Sequence, residues 1–236
     1  MKWNVVHKAV TASTNNDARA GKHGDVFTAD FQSAGRGRLD HKWHSAAGEN
    51  LVMSAVVDVA PLSVAHSATL PLVAGLAVVK TVARLLGSDG AVRLKWPNDV
   101  YVNGRKICGI LCERAGDNVI VGIGVNVKQR DFPGDISARA TSLRLEGLSI
   151  GVDDVRDAVL DTLGELYGVW FRGGFASLYE DISRVDMLKS RKVQVVQTDS
   201  DTEPVTGISS GIASDGSLCV DGVPVWAGEA RVFLAR

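Results

Sequence analysis

The stretch from Ala91 to Val127 constrains the fold more than any other part of the chain. Four strand-like runs, AVRLKWP, DVYV, KICGILCE and NVIVGIGVNV, follow one another with only short polar breaks between them. Asn103-Gly104, between the second and third runs, suits a type I′ hairpin turn. Just upstream, Ser67 to Leu86 repeats Leu, Val and Ala at helical spacing, with Pro71 tolerable near the start and Gly87 placed to end the helix. The combination predicts an α+β fold in which a mixed sheet carries helices on it. The apolar tract Ala68 to Val79 stops at Lys80, short of the ~20 residues that span a bilayer, so it reads as a core helix rather than a membrane segment.

Elements on either side extend this plan. WNVVHKAV reads as a first strand, and Ser13-Thr14-Asn15-Asn16 supplies N-cap residues for a short helix closed by Gly21. DVFTADF and LVMSAVVDV read as a hairpin-like pair flanking a polar loop. DDVRDAVLDTLGELYGVWFR predicts an amphipathic helix capped by Asp153, with Val155, Val159, Leu163, Leu166 and Val169/Trp170 on its apolar face. FASLYEDISRVDML predicts a further helix after Gly173-Gly174. Beyond about Lys189 the texture changes to short β runs broken by Asp, Ser and Gly turns, the pattern of a small barrel of roughly fifty residues. The expected division is 1–188 and 189–236.

Composition excludes several classes. With 26 Lys+Arg against 27 Asp+Glu the chain lacks the basic excess behind non-specific nucleic-acid binding. The three cysteines, Cys108, Cys112 and Cys219, do not make a disulfide framework, and no signal-peptide pattern opens the chain. A reduced, cytoplasmic protein is expected. Zinc spacing is absent too, so Cys108 and Cys112 read as small buried hydrophobes.

The chemistry-bearing residues lie in three stretches. In QSAGRGRLDHKWHS, Gly35 and Gly37 can take positive φ and let backbone N–H groups approach a ligand, while Arg36 and Arg38 offer forked donors to an anion. It is not a Walker A loop, and alone it could be a solvated turn. In RLKWPNDVYVNGRKICGILCE, Lys95, Asn98, Asp99, Arg105 and Lys106 punctuate strand-like sequence; the lysines either meet an anion or snorkel out of edge strands. In VGIGVNV, Gly122, Gly124 and Asn126 end an apolar strand, a pattern that strand packing explains equally well.

Taken together and in order, S-T-N at Ser13, Q-x-x-G-R-G-R-x-x-x-x-W from Gln32 to Trp43, K-W-P-N-D at Lys95, G-R-K-I-x-G-I-L-x-E at Gly104 and G-I-G-x-N at Gly122 resemble the biotin protein ligases. The resemblance runs through the whole chain, because the C-terminal β runs look like that family's small SH3-like domain and the catalytic part like its class II synthetase-like sheet. It implies a two-step reaction. Biotin and MgATP give biotinoyl-5′-adenylate and pyrophosphate, and a lysine of a biotin carboxyl carrier protein, the acetyl-CoA carboxylase subunit, then takes the acyl group.

By this resemblance Ser13, Thr14, Gln32 and the Gly35 backbone border biotin, Arg36 meets its carboxylate end, and Arg38 and Lys106 face the reacting phosphate as catalytic groups. Trp43 stacks on adenine, Asn126 lies on the adenine side, and Ser54 lines the biotin ring. Gly109, Gly122 and Gly124 allow close approach of that bicyclic ring. Asn98 and Asp99 stand on the phosphate side, with Asp99 the candidate for Mg2+.

Other expectations follow from the loop and from relatives. Ordering a loop costs about 1–2 kcal/mol per residue, so this one is expected to be mobile until ligand contacts offset the cost. Asp40 and His41 stand where many relatives carry Gly and Arg, and the S-T-N motif at Ser13 leaves no room for a winged helix before it. Family members often form homodimers through edge strands, and NVIVGIGV is the run expected to be exposed for it. The rival readings are a lipoate or octanoyl ligase or transferase, which rarely carries this GRGR loop, and a non-catalytic biotin-binding module, which needs neither Lys106 nor the loop arginines.

Overall fold

The computed structural model describes residues 1–39, 41–43, 45–197 and 203–233, so the expectation for Asp40 lies outside them. Its larger sheet has seven strands in the order β1-β2-β3-β7-β6-β5-β4. They are β1 (Asn4–Thr11), β2 (Asp25–Gln32), β3 (Asn50–Asp58), β4 (Val92–Lys95), β5 (Asp99–Val102), β6 (Arg105–Ala115) and β7 (Asn118–Asn126). β1 runs parallel to β2 and every other neighbour pair is antiparallel, giving the mixed sheet expected. Asn103 and Gly104 both have positive φ, 49° and 77°, as the type I′ turn between β5 and β6 demands. One expectation fails: β7 is buried between β3 and β6, so NVIVGIGV is no exposed edge. Non-local pairing with β3 covers a strand whose sequence neighbours alone would leave it open.

Helix α1 (Thr14–Asp17) lies on one face, and α3 (Leu70–Leu86) and α4 (Val152–Gly173) cover the other. A short helix α2 (Val64–Ser67), capped by the Ser63 hydroxyl accepting from the His66 N–H, precedes α3, which ends at Gly87 with φ 62°. Val64–Leu86 is long and apolar enough to cross a membrane, but 72% of that window is buried inside the fold, as a core helix requires. In α4 the residue before the first turn is Gly151, not Asp153. Asp153 and Asp154 sit inside the first turn instead, where their charges oppose the positive end of the helix dipole. Val155, Val159, Leu163, Leu166 and Trp170 form the buried stripe, while Val169 is 38% exposed. α5 (Tyr179–Val185) follows.

The C-terminal residues form a five-stranded antiparallel SH3-like sheet, β8 (Lys192–Val196), β9 (Val205–Ile212), β10 (Leu218–Val220), β11 (Val223–Val225) and β12 (Glu229–Val232), in the order β11-β10-β9-β8-β12. Two polar contacts anchor it to the larger sheet. The buried Trp96 indole donates to the Gly216 carbonyl at 3.1 Å, and the Asp186 carboxylate accepts from the amides of Leu188 and Ile212, both at 2.8 Å. Burial pushes the Asp186 carboxyl up, while those amide donors pull it back down. Asp186→Ala leaves buried donors without an acceptor, each costing about 1–3 kcal/mol. The expected result is a lower denaturant midpoint for Asp186→Ala, with Asp186→Asn in between; unchanged midpoints would show that this contact does not anchor the C-terminal sheet.

Candidate functional site

Strand register builds the floor of the site. Ser54 of β3 lies opposite Gly122 of β7, and Gly122 lies opposite Leu111 of β6. In the next rung Gly124 faces Gly109, which faces Asp99 of β5. Directly opposed residues share a face, so two neighbouring rungs place a hydroxyl, three glycines and a carboxylate side by side.

A polar chain stands on the first rung. Ser13 sits at the N-cap of α1 with extended backbone, but its side chain makes no capping bond. Thr14 donates to Gln32 Oε1 through its N–H at 2.8 Å and its hydroxyl at 3.1 Å, joining α1 to the end of β2. The fully buried Ser54 Oγ lies 2.7 Å from Thr14 Oγ1 and 2.6 Å from Asn15 Oδ1. Asn15 Nδ2 in turn donates to Glu113 Oε2 at 2.6 Å, and Glu113 also receives Arg19 at 3.1 Å and Arg36 at 3.1 Å. Arg36 further donates to Asn16 Oδ1 at 3.0 Å.

Charge gathers on the second rung. Lys106 Nζ is 2.7 Å from Asp99 Oδ1. Lys95 lies over the Tyr101 ring, 5.5 Å from its centroid, and burial drives its pKa down against the pull of Asp99, with Lys106 pushing the same way as burial. The Arg38 pKa is likewise lowered by burial and raised by Asp99 and Glu229. Arg38 Nη1 donates to the Gly228 carbonyl at 3.3 Å, so the C-terminal sheet reaches the loop. Lys95 stands on the edge strand β4, half-buried beside the Tyr101 ring and opposite Asp99 in the register. Burial also pushes the Cys112 thiol up to about 12 and raises that of Cys108, so both stay protonated and inert.

The arginine loop departs from its expected behaviour. Neither Gly35 nor Gly37 has positive φ; Leu39 does, at 51°. Glycine is required at 35 because a Cβ would stand 2.8 Å from the Trp43 carbonyl oxygen, while at 37 one would lie 3.2 Å from the His41 carbonyl oxygen, a tight contact that a small shift relieves. The loop also holds itself, through Trp43 N–H to Gly35 O at 3.0 Å, Gly37 N–H to His41 O at 2.6 Å and an Arg36–Lys42 bridge. Composition could not reveal these backbone bonds, which add to the ligand contacts expected to order the loop.

The glycines of the floor make room for protein as well. A Cβ on Gly124 would come 2.6 Å from the Trp43 indole, and one on Gly109 would be 3.2 Å from it. A Cβ on Gly122 would overlap Asn15 Oδ1. Trp43 thus lies flat over the second rung, its buried Nε1 without a hydrogen-bond partner among the described residues. Asn126 donates to the Thr141 carbonyl at 2.9 Å and Asn98 to the Ile110 carbonyl at 2.6 Å, both braces within the fold.

Asn15, Glu113, Gly228 and Glu229 were missed as site residues by the sequence reading, although Asn15 and Glu113 close two of the quoted motifs. The donor set does not suit a resident metal: Asp99 is engaged by Lys106, and no group of three His, Cys, Asp or Glu side chains is gathered among the described residues. An anion suits this arrangement better.

Comparison with known proteins points the same way. Residues 8–129 match the biotin/lipoate A/B protein ligase family. The biotin–[acetyl-CoA-carboxylase] ligase of Mycobacterium tuberculosis is 35% identical over 222 residues, covering 90% of this chain and 81% of that protein. The bifunctional ligase/repressor BirA of Escherichia coli is 31% identical, with 85% of this chain matched to 62% of its length. Among solved structures, the Aquifex aeolicus biotin protein ligase in complex with biotin and ATP superposes with a TM-score of 0.86 at 28% identity, covering 98% of this chain and 99% of that one. The Leishmania major enzyme in complex with biotinyl-5-AMP gives 0.69 at 28% identity, covering 98% and 99%.

The overlap at Gly122 makes a direct test. Gly122→Ala is expected to cost about 1–3 kcal/mol of stability by overpacking against the Asn15 amide. Denaturant unfolding of Gly122→Ala with and without Asn15→Ala should show the second change recovering part of the loss; an additive pair would contradict the contact.

Proposed function

The chain belongs to the biotin/lipoate A/B protein ligase family, and from that premise we propose that it is an ATP-dependent biotin protein ligase. The biotin carboxylate attacks the α-phosphorus of ATP, the bond to the leaving pyrophosphate breaks, and biotinoyl-5′-adenylate forms. A lysine amine of a biotin carboxyl carrier protein then attacks the acyl carbon, AMP leaves and the amine loses its proton. ATP use and a carboxylase acceptor put this work in the cytoplasm.

The observation that carries this reading is the cationic floor beside the Thr14–Gln32–Ser54 chain: Lys106 pairs with Asp99 at 2.7 Å, Lys95 stands opposite Asp99 in the β4–β5 register, and Arg38 feels the charge of the same carboxylate. The α-phosphate gathers negative charge as it becomes five-coordinate, and cations already fixed in a poorly hydrated site stabilise that charge without reorganising. Lys106 exchanges Asp99 for phosphate; the carboxylate so released, with Asn98 next to it in sequence, would be the group to meet the Mg2+ that ATP brings as part of the substrate. Arg36 passes from Glu113 to the biotin carboxylate. Glu113 keeps Arg19 and Asn15 as donors and is not left bare.

Biotin is proposed to enter along Ser13, Thr14, Gln32, the Gly35 backbone and Ser54, its ring resting on the Asn15 amide seated at Gly122 and reaching Gly109 and Gly124 once the Trp43 indole that covers them has moved off. Adenine takes the side of Trp43 and Asn126. Residues 1–188 form the catalytic unit and 189–236 the small unit that closes on Arg38.

Lys106→Ala is expected to slow adenylate formation by about a hundred- to thousand-fold. Biotin-dependent pyrophosphate release measures this; a loss below about threefold would remove Lys106 from the mechanism. For the activity itself, biotin is supplied with a purified carrier domain, with and without ATP. Label on the carrier only when ATP is present is expected, and lipoate in place of biotin should give none. Label without ATP, or from lipoate alone, would overturn the reading.

A further inference from the structure

Glu113 closes a sequence motif, and in the reaction just described it only holds Arg36 until biotin arrives. It sits on β6, one register step from Cys112, and gathers side chains from α1, from Arg19 just after it and from the arginine loop. We propose that Glu113 is a positioning residue for the ring end of the biotin pocket, acting through the side-chain amide of Asn15. The inference rests on the biotin reading above.

A carboxylate only accepts, so the atom of Asn15 that faces Glu113 at 2.6 Å is its Nδ2. The amide is planar, and this choice turns Oδ1 toward Ser54 Oγ, 2.6 Å away. Oδ1 can only accept as well, and it claims the one hydroxyl proton of Ser54. The Thr14 hydroxyl then has one proton for two acceptors, Ser54 Oγ at 2.7 Å and Gln32 Oε1 at 3.1 Å, while Gln32 Oε1 receives the Thr14 N–H at 2.8 Å in either case. One acid thus sets the direction of the Asn15 and Ser54 bonds.

The space around Asn15 enforces the same orientation. Its Oδ1 occupies the volume that a Cβ on Gly122 would fill, so the amide is lodged in the floor of the sheet. Nδ2 also points to the Leu111 carbonyl at 3.4 Å, a second acceptor on the same side as Glu113. Asn15 is 5% exposed and Ser54 is fully buried, so water is poorly placed to repair a reversed chain. A cyclic urea, such as the ring of biotin, carries N–H donors on both sides of one carbonyl acceptor. It pairs well only with a wall whose polarity is fixed. Replacing the acid by glutamine keeps the shape but adds a donor, which allows the Asn15 amide to turn over.

Calorimetric titration of biotin into the folded protein tests this. Glu113→Gln is expected to weaken biotin binding about tenfold, with the KM for biotin rising in step and the KM for ATP moving less than about threefold. Glu113→Asp, which still only accepts, should lie closer to the parent. In an Asn15→Ala background Glu113→Gln should add less than about twofold. A purely structural Glu113 would lower the melting temperature and leave biotin affinity alone, so a folded Glu113→Gln protein that binds biotin within about threefold of the parent overturns the proposal. Should Glu113→Gln fail to fold, the Asp variant and Asn15→Ala decide: the proposal falls if Asn15→Ala binds biotin as the parent does. A parent protein that binds no biotin sinks the functional reading instead, and is seen before any variant is compared.

Discussion

Lys95, Lys106 and Arg38 converge on a part-buried patch whose floor offers them the single carboxylate of Asp99, and much of the remaining architecture can be read as the means of tolerating that crowd. Burial depresses the charged state of Lys95 and Arg38, and the neighbouring ammonium of Lys106 works against Lys95 as well. Asp99 offsets part of this from within the sheet. Glu229 offsets more from the C-terminal strand β12, which is why a small second sheet matters to a site built on the larger one. What remains is an excess of positive charge held in fixed positions. An incoming phosphate relieves that excess, and its developing charge in a five-coordinate state relieves it further.

The uncharged half of the site works by geometry. Glycines at 109, 122 and 124 open the sheet face, and the openings are filled by the Trp43 indole and the Asn15 amide. The side chains that a ligand meets are therefore seated in the sheet, not merely laid upon it. The hydroxyls of Thr14 and Ser54 are joined to that seated amide and to Gln32, so the polar wall moves as one piece. A site on rigid elements holds its donors and acceptors more closely than one on loops alone. The arginine loop meets this wall through the Arg36–Glu113 pair and the C-terminal sheet through the Arg38–Gly228 contact.

Local signals in the sequence were reliable wherever a local rule decides the outcome. The Asn103-Gly104 turn, the Gly87 helix end and the apolar stripe of α4 depend on residues close in sequence, and each appears where periodicity and turn chemistry put it. Where a distant partner decides, the sequence was silent or misleading. Gly35 and Gly37 stand out in the sequence as positions free to take positive φ, but neither does, and a carbonyl lies against each instead. The run NVIVGIGV looked like an edge and is interior because β3 pairs with it across the intervening helices. Glu113 meets Asn15 across 98 residues and Arg38 meets Gly228 across 190, separations over which no pattern in the chain signals contact.

The central claim is that this cationic patch, loaded with biotin and nucleotide, makes and retains an acyl phosphate before any acceptor arrives. Rapid mixing of the protein with biotin and ATP labelled in the α-phosphate, without carrier, measures it most directly. The account predicts a biotin-dependent burst of pyrophosphate equal to the enzyme added, with the label staying on the protein as adenylate through gel filtration. A folded, saturated protein that releases no pyrophosphate, or releases it continuously while retaining no label, would contradict it.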